Sequence, residues 1–213
     1  MKDRSILQQL LADDQWDSFR PMMERFQDSA YWFEFESALS GLKREALYTS
    51  LVHGEGHIER TLLHGAFCAM EEHLNHQDTV LLLNACSYHD VGRINDWLDP
   101  EHGHRSAGRL EELTDVHGQE LTVMQAIVDA HSRADSELGK TLHAYPIRDY
   151  PRALRLAELL KDADGLDRVR IHNLDTHYLR REASVKRADF ALYLFSKYEL
   201  YIALSHPFEN GRM

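Results

Sequence analysis

The segment that decides the fold of this 213-residue chain is TVLLLNACSYHDVGR, residues 79–93. Its run from Val80 to Leu83 is apolar on nearly all sides, which is typical of a helix at the centre of a helical protein. Asp78 is the expected N-cap of this helix. The helix ends on His89 and Asp90, where a buried charge is expensive unless it is paired or bound to a metal. The segment therefore predicts a central helix that delivers half of a metal site.

The rest of the chain is also predicted to be helical, because prolines number only 5 and long stretches repeat their apolar residues with a period near 3.6. Beyond the central helix, the predicted helices lie at about 6–26 (one or two helices), 37–53, 57–74, 105–116, 120–131, 152–169 and 184–204. Residues 91–103 and 132–150 are predicted to be loops. We expect a single all-α domain over 1–213, with a core at about 50–170, N-terminal helices at about 3–50 and the helix 184–204 packed on it.

Composition excludes several classes of partner. The chain is 43% hydrophobic and 28% charged, as ordinary globular proteins are, and its formal net charge is −11. This charge argues against long nucleic acids and anionic membranes as partners. A small anionic substrate is compatible with it, because a bound divalent cation and a few arginines can reverse the potential within one pocket.

Targeting and redox features are absent from the pattern. No apolar stretch approaches the ~20 residues that a membrane span needs. The first 16 residues break their apolar run with acids, unlike a signal peptide. Cys68 and Cys86 lie in apolar helical stretches without metal-ligand spacing and are expected to be buried free thiols. We therefore expect a soluble, cytoplasmic protein.

Four residues form the expected metal set: His57, His89, Asp90 and Asp164. Imidazole and carboxylate are the usual protein ligands of divalent transition metals, and this set leaves coordination positions free for water and substrate. Asp162 and Asp164 point to different sides of a helix. Asp164 is the expected ligand, because the apolar Leu160 and Leu156 lie one and two turns back on its side.

Three motifs in this order resemble the HD-domain superfamily of metal-dependent phosphohydrolases over about residues 50–170. They are HIER at 57–60, HDVGR at 89–93 and ADGLD at 163–167. The resemblance implies an HD-domain-like helical bundle with the metal at its centre, held by His57, His89, Asp90 and Asp164. The cyclic-dinucleotide branch of the superfamily is not expected, because the chain has no GYP run.

The stretches EHGHRSA at 101–107 and AIVDAHS at 126–132 also resemble the family. Carried over, His102 and His131 would hold a second ion, with Asp90 bridging the two. His104 competes with His102, which is preferred because the family pattern runs from that residue. The implied cofactor is one or two divalent ions of iron, manganese, zinc, nickel or magnesium.

The expected reaction is attack of a metal-activated water on a small phosphoester or nucleotide. Asp90 and Arg93 are the predicted catalytic residues. Arg93 is also the first candidate for binding phosphate, followed by Arg60, Arg105 and Lys161, because guanidinium groups clamp phosphate oxygens in pairs.

Two other functions remain open at this point. One is a di-iron oxygenase, since some HD-domain proteins bind two irons with the same ligand order. The other is a metal-stabilised sensor or interaction module without turnover. Tyr193, Phe195, Tyr198 and Tyr201 on the last helix are expected in the core or a homodimer contact rather than stacked on a nucleobase. His53 is set aside, because Gly54 and Gly56 separate it from the helix of His57.

Overall fold

The computed structural model describes residues 4–205, with side chains through residue 202, and contains no β-strand within that range. Twelve α-helices lie in these residues, in the following order: α1 (Ile6–Asp13), α2 (Arg20–Gln27), α3 (Ala30–Gly41), α4 (Glu55–Glu71), α5 (His76–Tyr88), α6 (His102–Ala107), α7 (Leu110–Leu113), α8 (Gly118–His131), α9 (Asp135–His143), α10 (Tyr150–Leu166), α11 (Glu182–Val185) and α12 (Ala188–Ser205). Short 3-10 turns lie at Asp17–Phe19, Arg44–Ala46, Asp167–Ile171 and Thr176–Tyr178. The all-α prediction is confirmed.

Four helices, α4, α5, α8 and α10, surround the centre of the molecule. α4 packs against α5 and α10, and α8 packs against α10 and the short α6. Most buried apolar side chains belong to one cluster, to which the N-terminal helices and α12 also contribute, and Leu166, Val169 and Ala191 form a second, smaller cluster. The central segment behaves as predicted, because Leu81, Leu82 and Leu83 are all buried.

Several predicted boundaries are wrong. The helix expected at 37–53 is instead the end of α3, a 3-10 turn and a turn at residues 51–53, so the chain approaches α4 without a long preceding helix. Residues 132–150 are not mainly loop, since they include α9, and the helix expected at 105–116 is divided into α6 and α7. The N-cap of α5 is Asn75, whose side chain accepts from the amide of Asp78.

The aromatic side chains of α12 make their contacts within the chain. The Arg60 guanidinium lies 4.6 Å from the centre of the Tyr198 ring and 5.1 Å from that of Phe195. Tyr193 donates from its hydroxyl to the Gln15 carbonyl. These aromatic side chains pack within the chain, as the core interpretation of this helix predicts. Over residues 4–205, no helix combines the length and the apolar character that crossing a membrane requires.

Candidate metal centre

The turn after α5 places His89 and Asp90 in the interior. Both residues are buried, at 0% and 2% exposure. The chain then turns tightly at Gly92, where a Cβ atom would lie 2.4 Å from the Ser106 amide nitrogen. The Gly92 amide donates to Ser106 Oγ at 2.8 Å. This close approach requires a glycine, and it brings α6, which carries His102, against the end of α5.

One group of ligand atoms, called the first cluster, comprises His57, His89, Asp164 and Oδ2 of Asp90. His57 Nε2 lies 3.1 Å from His89 Nε2, 3.4 Å from Asp164 Oδ1 and 3.6 Å from Asp90 Oδ2. The atoms of His57, His89 and Asp164 lie within 4.8 Å of one another, close enough to hold one metal ion. Three helices, α4, α5 and α10, therefore contribute to one site.

A second cluster comprises His102, His131 and Oδ1 of Asp90. His102 Nε2 lies 2.9 Å from His131 Nε2 and 3.0 Å from Asp90 Oδ1, while His131 Nε2 lies 3.7 Å from the same oxygen. Gly103 permits this approach, since a Cβ atom there would lie 2.6 Å from the Val128 carbonyl oxygen of α8. The two carboxylate oxygens of Asp90 thus face different clusters.

Hydrogen bonds determine the tautomers of the four histidines. Three of them use Nδ1 to donate to a backbone carbonyl oxygen: His89 to Cys86 at 2.9 Å, His102 to Asp99 at 2.5 Å and His131 to Val128 at 2.5 Å. A carbonyl oxygen accepts only, so each Nδ1 carries the proton, and Nε2 of the neutral ring presents a lone pair.

His57 is oriented by a charged pair behind it. Its Nδ1 donates to Asp167 Oδ2 at 2.8 Å. Arg60 donates to both oxygens of the same carboxylate, at 2.6 Å from Nε and 3.0 Å from Nη2. A carboxylate that orients a ligating imidazole is a common support of metal sites. Arg60 therefore pairs with Asp167 and does not line the cleft described below, and its expected contact with a substrate stays a prediction.

The pKa values agree with neutral ligands. Burial, followed by the nearby charge of Arg170, lowers the pKa of His57 from 6.5 to about 3. Burial likewise lowers the pKa of His131 from 6.5 to about 4. Both rings are uncharged at pH 7 and present lone pairs rather than N–H groups at Nε2.

These groups fit a divalent cation. Without one, Nε2 of His57 lies 3.1 Å from Nε2 of His89, and Nε2 of His102 lies 2.9 Å from Nε2 of His131, and the neutral rings of His57 and His131 have no proton there to share. Asp90 Oδ1 is buried and has no hydrogen-bond partner among the described residues. Buried polar atoms are rarely left in this state, and a cation between them satisfies every lone pair at once.

His53 is the residue that sequence reasoning left out. Its Nδ1 lies 3.1 Å from Asp90 Oδ2 and also 3.1 Å from Nη2 of Arg170. The backbone turns sharply before α4, where a Cβ atom on Gly54 would lie 2.1 Å from the Ser50 carbonyl oxygen. That turn, rather than a helix, carries His53 to the site. In the sequence, the one indication that His53 belongs to the site was its position four residues before His57.

The other predicted residues lie at different distances from the centre. Arg93 is next to it, with Nε 2.8 Å from Asp90 Oδ2. Arg105 ties the loop after α5, donating to the Gly92 carbonyl at 2.8 Å and to Asp99. The Lys161 ammonium lies at the end of α8 and donates to the carbonyls of His131 and Arg133.

His104 and Asp162 are not at the centre. His104 is exposed and pairs its Nδ1 with Asp129 at 2.9 Å, so His102 is the histidine of α6 that faces Asp90. Asp162 accepts from the backbone amides of Arg180 and Arg181. Asp164 is the acid of this helix that reaches the first cluster.

A cleft of about 740 Å³ opens beside the two clusters. It lies between residues 131–135, the last turns of α10 and the loop 173–180, and Leu98 and Pro100 complete its rim. Both His131 and Asp164 line it, and the Asp164 side chain is 27% exposed. A molecule in the cleft therefore reaches one ligand of each cluster.

No protein-family model, curated protein or solved structure matches this chain. A helical fold with a buried His/Asp cluster that could bind a metal is compatible with an HD domain. The HD-domain assignment remains a prediction based on the motifs.

Proposed function

We propose that this protein is a metal-dependent phosphohydrolase that cleaves small phosphoesters. The observation that carries the proposal is the convergence of four imidazoles and two carboxylates beside an open cleft. Structural metal sites tend to be closed, whereas catalytic sites keep positions for water and substrate. The motif order shared with the HD-domain phosphohydrolases supports the same reaction class.

The donor set favours certain metals. Imidazole nitrogen suits iron, zinc and nickel, and carboxylate oxygen also suits manganese and magnesium. Four nitrogens among the ligands therefore favour iron, zinc or nickel, and the two carboxylates keep manganese and magnesium compatible with the site. When bound, such an ion supplies a water of lowered pKa and neutralises charge on a phosphoryl oxygen.

Residues of the chain itself would hold the ions and orient the ligands and the substrate. Each oxygen of Asp90 belongs to one cluster, so this carboxylate would hold two ions at a set separation. Asp167 and the backbone carbonyls keep the imidazoles in the ligating tautomer. Arg93, beside Asp90, is the nearest predicted catalytic cation. Asp164 faces the cleft, from which the substrate would approach.

The test combines metal analysis with turnover. Protein purified without added ions is expected to contain one or two ions of iron, manganese, zinc or nickel per chain, and to release phosphate from a phosphoester and nucleotide panel. His131→Ala is expected to remove that activity. His117→Ala is the matched control, since His117 is exposed at the other end of the same helix.

Other outcomes would contradict the proposal. Two irons per chain with visible absorbance and substrate-dependent oxygen uptake would replace it with the di-iron oxygenase. Full metal occupancy without turnover of any phosphoester would favour the sensor or interaction module. A chain that takes up no metal on titration would remove the metal centre altogether.

A further inference from the structure

The cleft beside the metal centre is lined by similar numbers of basic and acidic side chains. Four basic and four acidic side chains line it. Three of the four basic side chains are held by partners: Arg133 by Glu101 and Asp129, Arg180 by Asp162 and Asp135, and Lys161 by backbone carbonyls and Asp135. A ligand entering the cleft would have to compete with those partners for their charge.

Arg168 is different from the other three. Its Nε donates to the Asn173 carbonyl at 3.1 Å, and its two Nη groups have no hydrogen-bond or ion-pair partner among the side chains that the structure describes. It lies in the 3-10 segment directly after α10, four residues beyond Asp164, and both side chains line the same cleft. An unoccupied guanidinium fork matches two phosphate oxygens.

The walls of the cleft offer flat and apolar surface as well. Tyr178 is 72% exposed and Leu98 is 94% exposed, and both line the cleft. An aromatic ring stacks on the face of another flat group and gains from covering its apolar surface. The cleft volume of about 740 Å³ lies within the range of small-molecule sites, which is about 300–1,000 Å³.

We propose that the cleft binds a phosphate monoester of a flat organic group, with Arg168 on the phosphate oxygens and Tyr178 on that group. This inference rests on the proposed phosphohydrolase function and names its substrate class. A single phosphate is favoured over a di- or triphosphate because the cleft has one basic side chain with free donors. Among the described residues, Arg168 is the basic lining residue that pairs with no carboxylate and with a single backbone carbonyl. Each further phosphate would bring negative charge without a free partner.

Titration with inorganic phosphate tests the role of Arg168. Calorimetry on manganese-loaded protein is expected to show phosphate binding that Arg168→Ala weakens by about tenfold to a hundredfold, the range for a charge-assisted hydrogen-bonded pair. Arg168→Lys should fall between them. Arg148→Ala is the control, since Arg148 is exposed outside the cleft. Equal affinity of the wild type and Arg168→Ala would overturn this role.

A second titration tests the organic group and the number of phosphates. Phenyl phosphate is expected to bind more tightly than inorganic phosphate, and Tyr178→Ala should remove that difference while leaving inorganic phosphate unaffected. Adenosine monophosphate should bind at least as tightly as adenosine triphosphate. Persistence of the phenyl preference in Tyr178→Ala, or tighter binding of the triphosphate, would overturn the substrate class.

The two proposals fail separately. Binding of phosphate through Arg168 is measured without turnover, so an inactive wild type would refute the hydrolase while leaving the anion site established. Hydrolysis that is unchanged by Arg168→Ala, with unchanged phosphate affinity, would leave the hydrolase in place and remove Arg168 from substrate binding.

Discussion

The two clusters share Asp90 but are supported in different ways. The first cluster is built from the long helices α4 and α10 and the end of α5, and His57 is oriented by a carboxylate that Arg60 holds in turn. The second cluster comes from the six-residue α6 and the last residue of α8, and backbone carbonyls orient its histidines. His57 is therefore oriented by a buried ion pair, whereas His89 and both histidines of the second cluster are oriented by local backbone carbonyls.

This difference predicts unequal behaviour of the two halves. His57 and His89 are held by helices packed through the core, whereas α6 follows a loop and has only one and a half turns of its own. We expect the second cluster to release its ion first when a chelator is titrated against the loaded protein.

The largest effect is expected from Asp90, because both clusters use it. Asp90→Ala should abolish metal binding at both, while the far-ultraviolet circular dichroism stays near that of the wild type. Asp115→Ala, an exposed acid far from the cleft lining, is the control. Metal analysis after dialysis decides, and retention of the wild-type metal content in Asp90→Ala would show that Asp90 is not a ligand.

Two buried carboxylates, Asp167 and Asp129, provide the next comparison. Asp167→Ala would leave the buried Arg60 without its partner, and an uncompensated buried charge costs about 3–5 kcal/mol of unfolding free energy. Asp129 lies on α8, two residues before His131, and accepts from Arg133 and Tyr145. Asp129→Ala should cost no more than about 2 kcal/mol, because Arg133 is partly exposed and keeps Glu101. Urea unfolding of both variants measures this, and similar losses would mean that the buried Arg60–Asp167 pair stabilises the fold no more than the partly exposed Arg133–Asp129 pair does.

A change at His131 tests whether the chain binds one metal ion or two. His131→Ala should halve the metal content of a protein that holds two ions, because the first cluster keeps all its ligands. The His117→Ala control should retain the wild-type content. A chain that binds one ion before and after the change would indicate that only the first cluster is occupied.

A stabilising rather than a destabilising change is expected at His64, two turns after His57 on α4. His64 is fully buried, and neither ring nitrogen has a hydrogen-bond partner among the described residues. Burial lowers its pKa from 6.5 to about 4. Between pH 6.5 and pH 4 the unfolded chain therefore binds a proton at this residue that the folded chain does not bind. As a consequence, His64 makes the free energy of unfolding fall as the pH drops from 6.5 to 4.

His64→Leu should remove that contribution. The variant is expected to be more stable than the wild type by roughly 1–3 kcal/mol at pH 7, since an unsatisfied buried polar group is replaced by an apolar one. Its advantage should grow by about 2 kcal/mol between pH 7 and pH 5. Unfolding in urea at both pH values measures this, and an advantage that does not change with pH would mean that His64 titrates normally in the folded protein.

Much of the centre could be predicted from the sequence. An apolar helix that ends in His-Asp can keep these groups buried only if something pairs with them, so His89 and Asp90 were recognisable from one segment. The helical period on either side of Asp164 also distinguished it from Asp162. His53 and Arg170 could not be found in this way, because a glycine turn and the 3-10 segment after α10 carry them to the centre.

The sequence by itself determined the helical class, the central position of α5 and the residue types able to hold a metal, because apolar periodicity and ligand chemistry are local properties. The tertiary structure decided which side chains meet. It directed Arg60 to Asp167, and it placed the two oxygens of Asp90 toward different histidine pairs. It also left Arg168 rather than Lys161 with free donors in the cleft. Such pairings join residues up to about a hundred positions apart, and they depend on how helices pack rather than on any neighbouring sequence.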